Sequence, residues 1–149
     1  MRRALLVLVI LCACSSSQPP RLFDVAFRGR ATVTIHAELA DTDAARERGL
    51  MGRTSLAPNA GMLFTWPAPE THQFYMFKTL IPLDLVAIKS GRVTVVTTMT
   101  PCRSFDPDAC PTYPTGVADA VLEIAGGTAA RLGIVVGSLA AYHCTNCPA

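Results

Sequence analysis

The sequence predicts an α+β domain that is mainly antiparallel β, with a rolled or barrel-like sheet and two short helices. Hydrophobic residues make up 50% of the 149-residue chain, which is enough material for the core of one domain and excludes disorder of the whole. From Arg21 onward, short runs of alternating apolar and polar residues predominate, which is typical of half-buried strands. Only two brief stretches carry helix signals, so the strands must form most of the fold.

The first predicted elements are a strand and a helix. Residues 31–39 alternate strictly, so Val33, Ile35, Ala37 and Leu39 share one face, with Thr, His and Glu residues on the other. The residues 41–43, Asp-Thr-Asp, then form a helix-capping cluster. A helix of one or two turns follows over 44–49 and ends at Gly49.

The rest of the chain predicts further strands and a second helical turn. The strands share apolar residues between turn formers and cover 61–66, 72–77, 83–89, 92–99, 119–125 and 139–143. Ser90 and Gly91 form a tight hairpin turn between two of these strands. Residues 128–132 form the second helical turn. There is no repeat or internal linker, so we expect one globular domain over 22–149.

The N-terminus is typical of a secretory signal peptide. Arg2 and Arg3 give a positive start, and an unbroken apolar run covers residues 4–11. Eight helical residues rise only about 12 Å, against a hydrocarbon core of roughly 30 Å, so this run is too short to span a membrane. We expect residues 1–13 to be the cleaved signal.

Leu11, Cys12, Ala13 and Cys14 together resemble the lipobox of bacterial lipoproteins. In that pattern the chain is cut before Cys14, whose thiol and new amino group are acylated, and residues 14–21 become the lipidated cysteine and a polar tether. Ser15 is not the aspartate that resembles an inner-membrane retention signal, so we expect an outer-membrane anchor facing the periplasm. The alternative is an ordinary cleaved signal with Cys14 free or bridged.

The charge balance excludes one class of partner. The chain has 13 basic and 11 acidic residues, and loss of Arg2 and Arg3 with the signal leaves 11 of each. A neutral domain lacks the positive surface that attracts nucleic acid, so we expect no nucleic-acid partner.

Four cysteines remain once Cys12 is removed and Cys14 is acylated: Cys102, Cys110, Cys144 and Cys147. An even number in an exported chain indicates two disulfides, with three possible pairings. Cys102 with Cys110 is the easiest, because the loop between them contains turn-forming residues. Cys144 and Cys147 then pair with each other or stay reduced. A zinc site is disfavoured by the wide first spacing, and a thioredoxin-like motif by the lack of a following helix.

Several segments, taken in order, resemble the domain-of-unknown-function 192 family. They are residues 47–51 with Arg53, 61–64, 74–79, 81–84, 121–123 with Gly126, and 133–134 ahead of Gly137. The match covers about residues 33–142. The resemblance implies a β-rich fold of that kind and brings no established activity. Ser138 stands where the family often has an acid, and the segment 101–111 looks like an insert of exported members.

Five charged residues are the candidate ligand-binding side chains: Arg48, Arg53, Lys78, Asp84 and Glu123. The two arginines flank residues 49–51 and could bind a small carboxylate or phosphate. Alternatively, they pair with Asp84 or Glu123 and fix the helix against the sheet. Lys78 is either a site cation or a surface lysine whose stem packs on apolar neighbours.

We hypothesise a non-catalytic envelope module that binds a small molecule or another envelope protein, with no cofactor and no metal site. One alternative is a hydrolase or lyase with Asp84 or Glu123 as acid and base beside Lys78. Another is a metal or thiol-redox accessory protein that uses the CxxC pair or the methionines at 51, 62, 76 and 99. Each methionine lies in an apolar run, where filling the core is the simpler role.

Overall fold

The structure is a computed structural model that describes residues 19–28 and 32–147. The predicted signal peptide and the predicted acylation at Cys14 lie outside the described residues. In chain order the elements are β1 Leu22–Arg28, β2 Thr32–Ala40, α1 Asp43–Arg48, β3 Ala60–Tyr75, β4 Leu83–Lys89, β5 Arg92–Met99, a 3-10 turn Pro107–Ala109, β6 Thr112–Ala125, α2 Thr128–Leu132 and β7 Leu139–Cys144.

The described strands close into a barrel in the order β1-β2-β3-β6-β4-β5-β7, which confirms the predicted class. Neighbouring strands run antiparallel except β2 and β3, which are parallel. The shortest strand pairing is that of β5 with β7, which has the single residue pair Arg92–Leu139. Two backbone hydrogen bonds beside it, from the Val93 N–H to the Ser138 carbonyl and from the Gly137 N–H to the Val93 carbonyl, extend the contact. Closure matters because it leaves fewer open sheet edges than a flat sheet would.

The barrel interior is an apolar core to which every strand contributes. Buried side chains here include Val25, Ile35, Leu63 and Leu122, and the predicted inward face of β2 is confirmed. Alternation along each strand supplies one interior residue in two, as the side-chain period of a strand requires.

A second apolar cluster lies on the outer face of β3, β6 and β4, and we call it the outer cluster. It contains Met62, Met76 and Met99, all buried, so three of the four methionines fill core space. Leu50, after α1, and Met76, after β3, cover this face. These segments fold back onto the barrel, so helix, strand and turn residues surround one cavity on this face.

The short helices have different caps. Thr42 caps α1, because its hydroxyl accepts a hydrogen bond from the backbone N–H of Ala45 at 3.2 Å, as the capping cluster predicts. Gly49, which has a positive φ of 45, then ends the helix, and its N–H donates to the carbonyl of Ala45. At α2 the preceding Gly127 offers no side chain, and the N–H of Ala129 is instead bound by Asp84 of β4 at 2.8 Å.

The strands differ from the prediction in number and in length, because β1 was not predicted and both β3 and β6 are longer than expected. Residues 61–66 and 72–77 were predicted as two strands, whereas β3 runs through 60–75, because β6 pairs with both halves. The pairing register shifts between Thr65 and Glu70, where Pro67 and Pro69 have no N–H to donate. β6 correspondingly begins at Thr112, seven residues before its predicted start at 119.

Both disulfides are present. Cys102 bonds to Cys110, with a Cα–Cα distance of 5.6 Å, as the turn-rich loop predicts. Cys144 bonds to Cys147, with a Cα–Cα distance of 5.7 Å. Of the two states that the sequence left open for this pair, a disulfide or two reduced thiols, the structure shows the disulfide. The insert and the C-terminal loop are therefore each closed covalently.

Candidate functional site

A cleft of about 360 Å³ opens between α1 and β3. Its volume falls within the range of small-molecule sites, about 300–1,000 Å³. One wall comes from α1 and the turn after it, the other from β3, with Thr79 and Glu123 completing the lining. The lining residues are Asp43, Arg46, Glu47, Arg48, Gly49, Leu50, Met51, Phe64, Trp66, His72, Gln73, Phe74, Tyr75, Thr79 and Glu123.

Glu123 is the buried acid of the cleft, with only 5% of its surface exposed. It lies on β6 between Met62 of β3 and Leu85 of β4, so its side chain shares the outer face with these apolar neighbours. Within residues 19–28 and 32–147, its carboxyl group forms no ion pair or hydrogen bond. Burial raises the pKa of Glu123 from 4.5 to about 8, so the group is mostly neutral at pH 7.

The arginines of α1 have different surroundings. Arg46 donates to the carbonyl of Thr65 at 2.7 Å and to Asp43 at 2.7 Å, and its guanidinium lies 5.7 Å from the centre of the Trp66 ring. These contacts tie the helix to β3. Arg48 is exposed at the cleft and has no ion pair among the described residues, so its guanidinium remains available to an incoming group.

The β3 wall is aromatic. The rings of Trp66 and His72 stack at 3.5 Å, and Phe64 meets Phe74 edge to face at 5.0 Å. Phe64 lies before the first register shift of β3, Trp66 within it, and His72 and Phe74 after it. The bulge therefore folds the strand so that aromatic residues six to ten positions apart meet.

His72 adds a second polar group without a partner. Its Nε2 is buried and has no hydrogen-bond partner in the described part of the chain. Desolvation by burial is the main cause that lowers the pKa of His72. The negative charge of Glu70 raises this pKa, and the positive charge of Arg46 lowers it further. The imidazole is therefore neutral at pH 7 and can donate or accept one hydrogen bond at each nitrogen, depending on its tautomer.

The structure brings only two of the five candidate residues, Arg48 and Glu123, into the cleft. The expectation that Arg53 pairs with Asp84 or Glu123 is wrong, because Arg53 binds Glu38 of β2 at 2.6 Å. That ion pair is partly exposed and holds the turn after α1 against the sheet. Arg53 is therefore a structural residue in the described contacts.

Asp84 faces away from the cleft. Asp84 lies opposite Ile124 of β6, whose side chain belongs to the interior core. Glu123 is the residue before Ile124 on β6, so its side chain lies on the outer face of the sheet. The two carboxylate oxygens of Asp84 accept from the Thr98 hydroxyl at 2.7 Å and the Ala129 N–H at 2.8 Å. The predicted grouping of Asp84 with Glu123 and Lys78 in one groove is therefore not observed.

Lys78 lies in a second depression beside the cleft, together with Phe77 and Leu80. Its Nζ is 5.0 Å from the centre of the Phe77 ring. Lys78 is thus neither next to Glu123 in the cleft lining nor paired with Asp84.

The aromatic half of the cleft was not predicted from the sequence. Trp66, His72, Phe74 and Arg46 were not among the candidates. A signal for them exists, because the prolines at 67 and 69 interrupt an aromatic-rich strand, and such interruptions often mark a bulge. Across the described residues, no group of three or more His, Cys, Asp or Glu side chains could hold a metal ion.

The cleft belongs to a fold that occurs in solved structures. A protein of unknown function from Novosphingobium aromaticivorans DSM 12444 is 35% identical, covers 80% of this chain and 84% of its own, and superposes with a TM-score of 0.70. A protein from Sinorhizobium meliloti 1021, named as a candidate transcription regulator, is 27% identical, covers 84% of this chain and 97% of its own, and has a TM-score of 0.74. No curated protein matches.

The sequence profile of DUF192, described as Uncharacterized ACR, matches residues 25–141. The chain belongs to the DUF192 family. The match extends from β1 to β7, so it includes every residue that lines the cleft, and the DUF192 domain and the barrel are the same unit. None of the helices in the described ranges has the length and hydropathy needed to cross a membrane.

Proposed function

We propose that this DUF192 protein is a non-catalytic binding protein of the cell envelope, and that a small ligand occupies the cleft in contact with Glu123. The supporting observation is the carboxyl group of Glu123, a residue only 5% exposed, which lines the cleft and forms no hydrogen bond within the described ranges. Burying a polar group costs free energy unless a hydrogen bond compensates for it. Glu123 is largely desolvated and lines the cleft, so a ligand there can supply such a bond.

The lining indicates which ligands fit. A neutral Glu123 offers an O–H donor as well as acceptor oxygens, so it suits a hydroxyl, carbonyl or carboxylate group. Phe74 and Tyr75 supply ring surface, and Arg48 supplies a cation at the rim. We therefore expect a compact ligand with an apolar or ring-shaped part and at least one oxygen.

The envelope location rests on the N-terminal sequence. A positive start, an apolar run over 4–11 and the lipobox-like residues before Cys14 support export and acylation. A signal-cleaved, acylated chain would be anchored to the membrane, with the barrel on the periplasmic side. Labelling with a fatty-acid analogue should fail after Cys14→Ser, and label that persists in this variant contradicts the anchor.

A second candidate function is acid catalysis by Glu123. A carboxylic acid that keeps its proton at neutral pH in a cleft is suited to donate it to a leaving group. Asp84 has no such role in this proposal, because both its oxygens are bound on the other face of the sheet. Conversion of a bound compound by the wild type and not by Glu123→Gln would favour catalysis over binding alone.

The name of the Sinorhizobium relative raises transcription regulation as a role. We do not extend that role to this chain, because the acidic and basic residues balance once Arg2 and Arg3 are discounted. DNA binding depends strongly on clustered positive charge.

A thermal-shift screen of the full chain against metabolites and glycans tests the binding proposal. A ligand of the folded state must raise the unfolding midpoint. We expect hits in the wild type to lose most of their shift in Glu123→Leu, which has no hydrogen-bonding group, and in Arg48→Gln. Asp108→Asn is the matched control, since this exposed acid does not line the cleft. Hits that shift Glu123→Leu as much as the wild type contradict the proposed site.

A further inference from the structure

A second depression of about 410 Å³ adjoins the cleft. The turn around Lys78 forms one side, and the disulfide-closed loop from Cys102 forms the other. Thr79 is 5% exposed and lines both cavities, so the two share a wall.

The depression is positively charged. Its lining includes Lys78 and Arg103 and contains no acidic residue. Neither cation forms an ion pair in residues 19–28 and 32–147. Two unpaired cations over an apolar surface favour a ligand with negative charge, because the low-dielectric wall weakens screening by water.

The backbone holds Lys78 in an unfavourable conformation. Lys78 has φ 54, in the left-handed region that a side chain disfavours. Its carbonyl accepts from the N–H of Gly52 at 2.9 Å, and the carbonyl of Met76 accepts from both Thr79 and Cys102. Strain of this kind persists only where surrounding contacts enforce it, and it is concentrated at functional sites.

The walls of the depression are apolar and exposed. Leu80 is 58% exposed and Phe105 is fully exposed, although both are large apolar side chains. The Cys102–Cys110 disulfide closes the loop that carries Phe105. Exposed apolar groups beside unpaired cations suit an amphipathic anion better than a free inorganic ion.

We infer that the second depression binds the anionic end of an elongated ligand, a carboxylate or a phosphate on an apolar body, whose other end reaches the cleft. This inference rests on the proposed binding function and extends the site to Lys78 and Arg103. The shared wall at Thr79 places the two cavities side by side, which supports the length of the ligand, and the two cations support its charge.

Calorimetric titration of the full chain with three probes tests this inference. The probes are 4-phenylbutyrate, 4-phenylbutyl phosphate and the neutral 4-phenylbutanol. We expect at least one anion to bind about tenfold tighter than the alcohol, as a charge-assisted contact allows. The better anion distinguishes carboxylate from phosphate. The preference should disappear in Lys78→Gln/Arg103→Gln and persist in the control Lys89→Gln, an exposed lysine outside both cavities.

Three results overturn the inference: failure of both anions to bind, equal binding of anions and alcohol, or an anion preference that survives the double substitution. Amide NMR shifts provide a further check, because a preferred anion must perturb both Leu80 and Glu123; shifts confined to one cavity also overturn it. Loss of alcohol binding in Glu123→Leu tests the proposed function separately. If that loss occurs without any anion preference, the cleft proposal stands and this extension fails.

Discussion

Two buried acids on adjacent strands have opposite roles because they point to opposite faces of one sheet. Asp84 and Glu123 are both at most 5% exposed. Asp84 is bound by Thr98 and by the N–H of Ala129, so its charge caps α2. Glu123 has no such partners in the described chain and lines the cleft. At the scale of single residues, hydrogen bonding separates a structural acid from a candidate binding acid.

The raised pKa of Glu123 predicts a pH-dependent stability. Because the folded-state pKa is about 8 and the ordinary value is 4.5, the folded protein binds a proton that the unfolded chain has released. The free energy of unfolding should therefore fall as pH rises from about 4.5 to about 8, by about 1.4 kcal/mol for each unit of pKa difference. Glu123→Gln removes this contribution, since glutamine does not titrate.

Urea unfolding of both proteins at about pH 5 and about pH 9 measures this effect. The glutamine variant should gain stability relative to the wild type at the higher pH, and the exposed control Asp108→Asn should follow the wild type. Parallel pH profiles for wild type and Glu123→Gln would show that Glu123 titrates normally.

Removal of the Asp84 carboxylate should destabilise the barrel without affecting the cleft. Asp84→Ala leaves the Ala129 N–H and the Thr98 hydroxyl without their acceptor, at a cost of about 1–3 kcal/mol for the buried donor. Thr98→Val removes only one of the two bonds and should cost less. Denaturant unfolding measures the free energy that each substitution costs. Ligands found in the thermal-shift screen should still bind folded Asp84→Ala. Loss of that binding would place Asp84 in the site.

At the scale of elements, β3 forms the site. Its first half pairs with β2 and β6 in the barrel, and its second half extends along β6 after the register shift. This extension carries His72 and Phe74 back over Trp66. A regular strand of the same length would place these rings along a line instead of around a cavity.

The close approach of β3 to β6 predicts a steric effect at Gly61. A Cβ at this position would lie 2.6 Å from the carbonyl oxygen of Glu123 and 3.0 Å from Ile124 Cγ2. Gly61→Ala should cost about 1–3 kcal/mol, because the strands must separate. Gly116→Ala is the comparison, because a Cβ at Gly116 would meet no atom within 4 Å. Its only cost is the strain of a side chain at positive φ, about 1 kcal/mol. A smaller cost at Gly61 than at Gly116 in urea unfolding contradicts this packing.

At the scale of the whole molecule, the C-terminal loop holds the start of the barrel. The Leu22 N–H donates to Asn146 Oδ1 at 2.7 Å, and the Leu22 carbonyl accepts from the Thr145 N–H at 2.9 Å. Asn146 Nδ2 also donates to the carbonyl of Pro20 at 3.2 Å. The Cys144–Cys147 disulfide closes this loop, so the two ends of the described domain are linked directly after the predicted tether.

Asn146→Ala should loosen this junction. The substitution removes two side-chain hydrogen bonds at an exposed site, with an expected cost of about 1 kcal/mol. Hydrogen exchange of the Leu22 amide should accelerate, while the core amide of Val25 stays protected. Asn59→Ala is the control, because its side chain forms no hydrogen bond within the described ranges. Unchanged exchange at Leu22 would mean that Thr145 alone holds the strand.

The sequence alone was enough to predict the barrel-like class, both helices, the Cys102–Cys110 bond and two residues of the cleft, Arg48 and Glu123. These features depend on local periodicity, capping and short loops, or on the order of family segments. Strand register determined the rest. It separated Asp84 from Glu123, joined Arg53 to Glu38 and assembled the aromatic wall across a bulge. Such pairings join residues distant along the chain, and a one-residue shift reverses the face of a side chain.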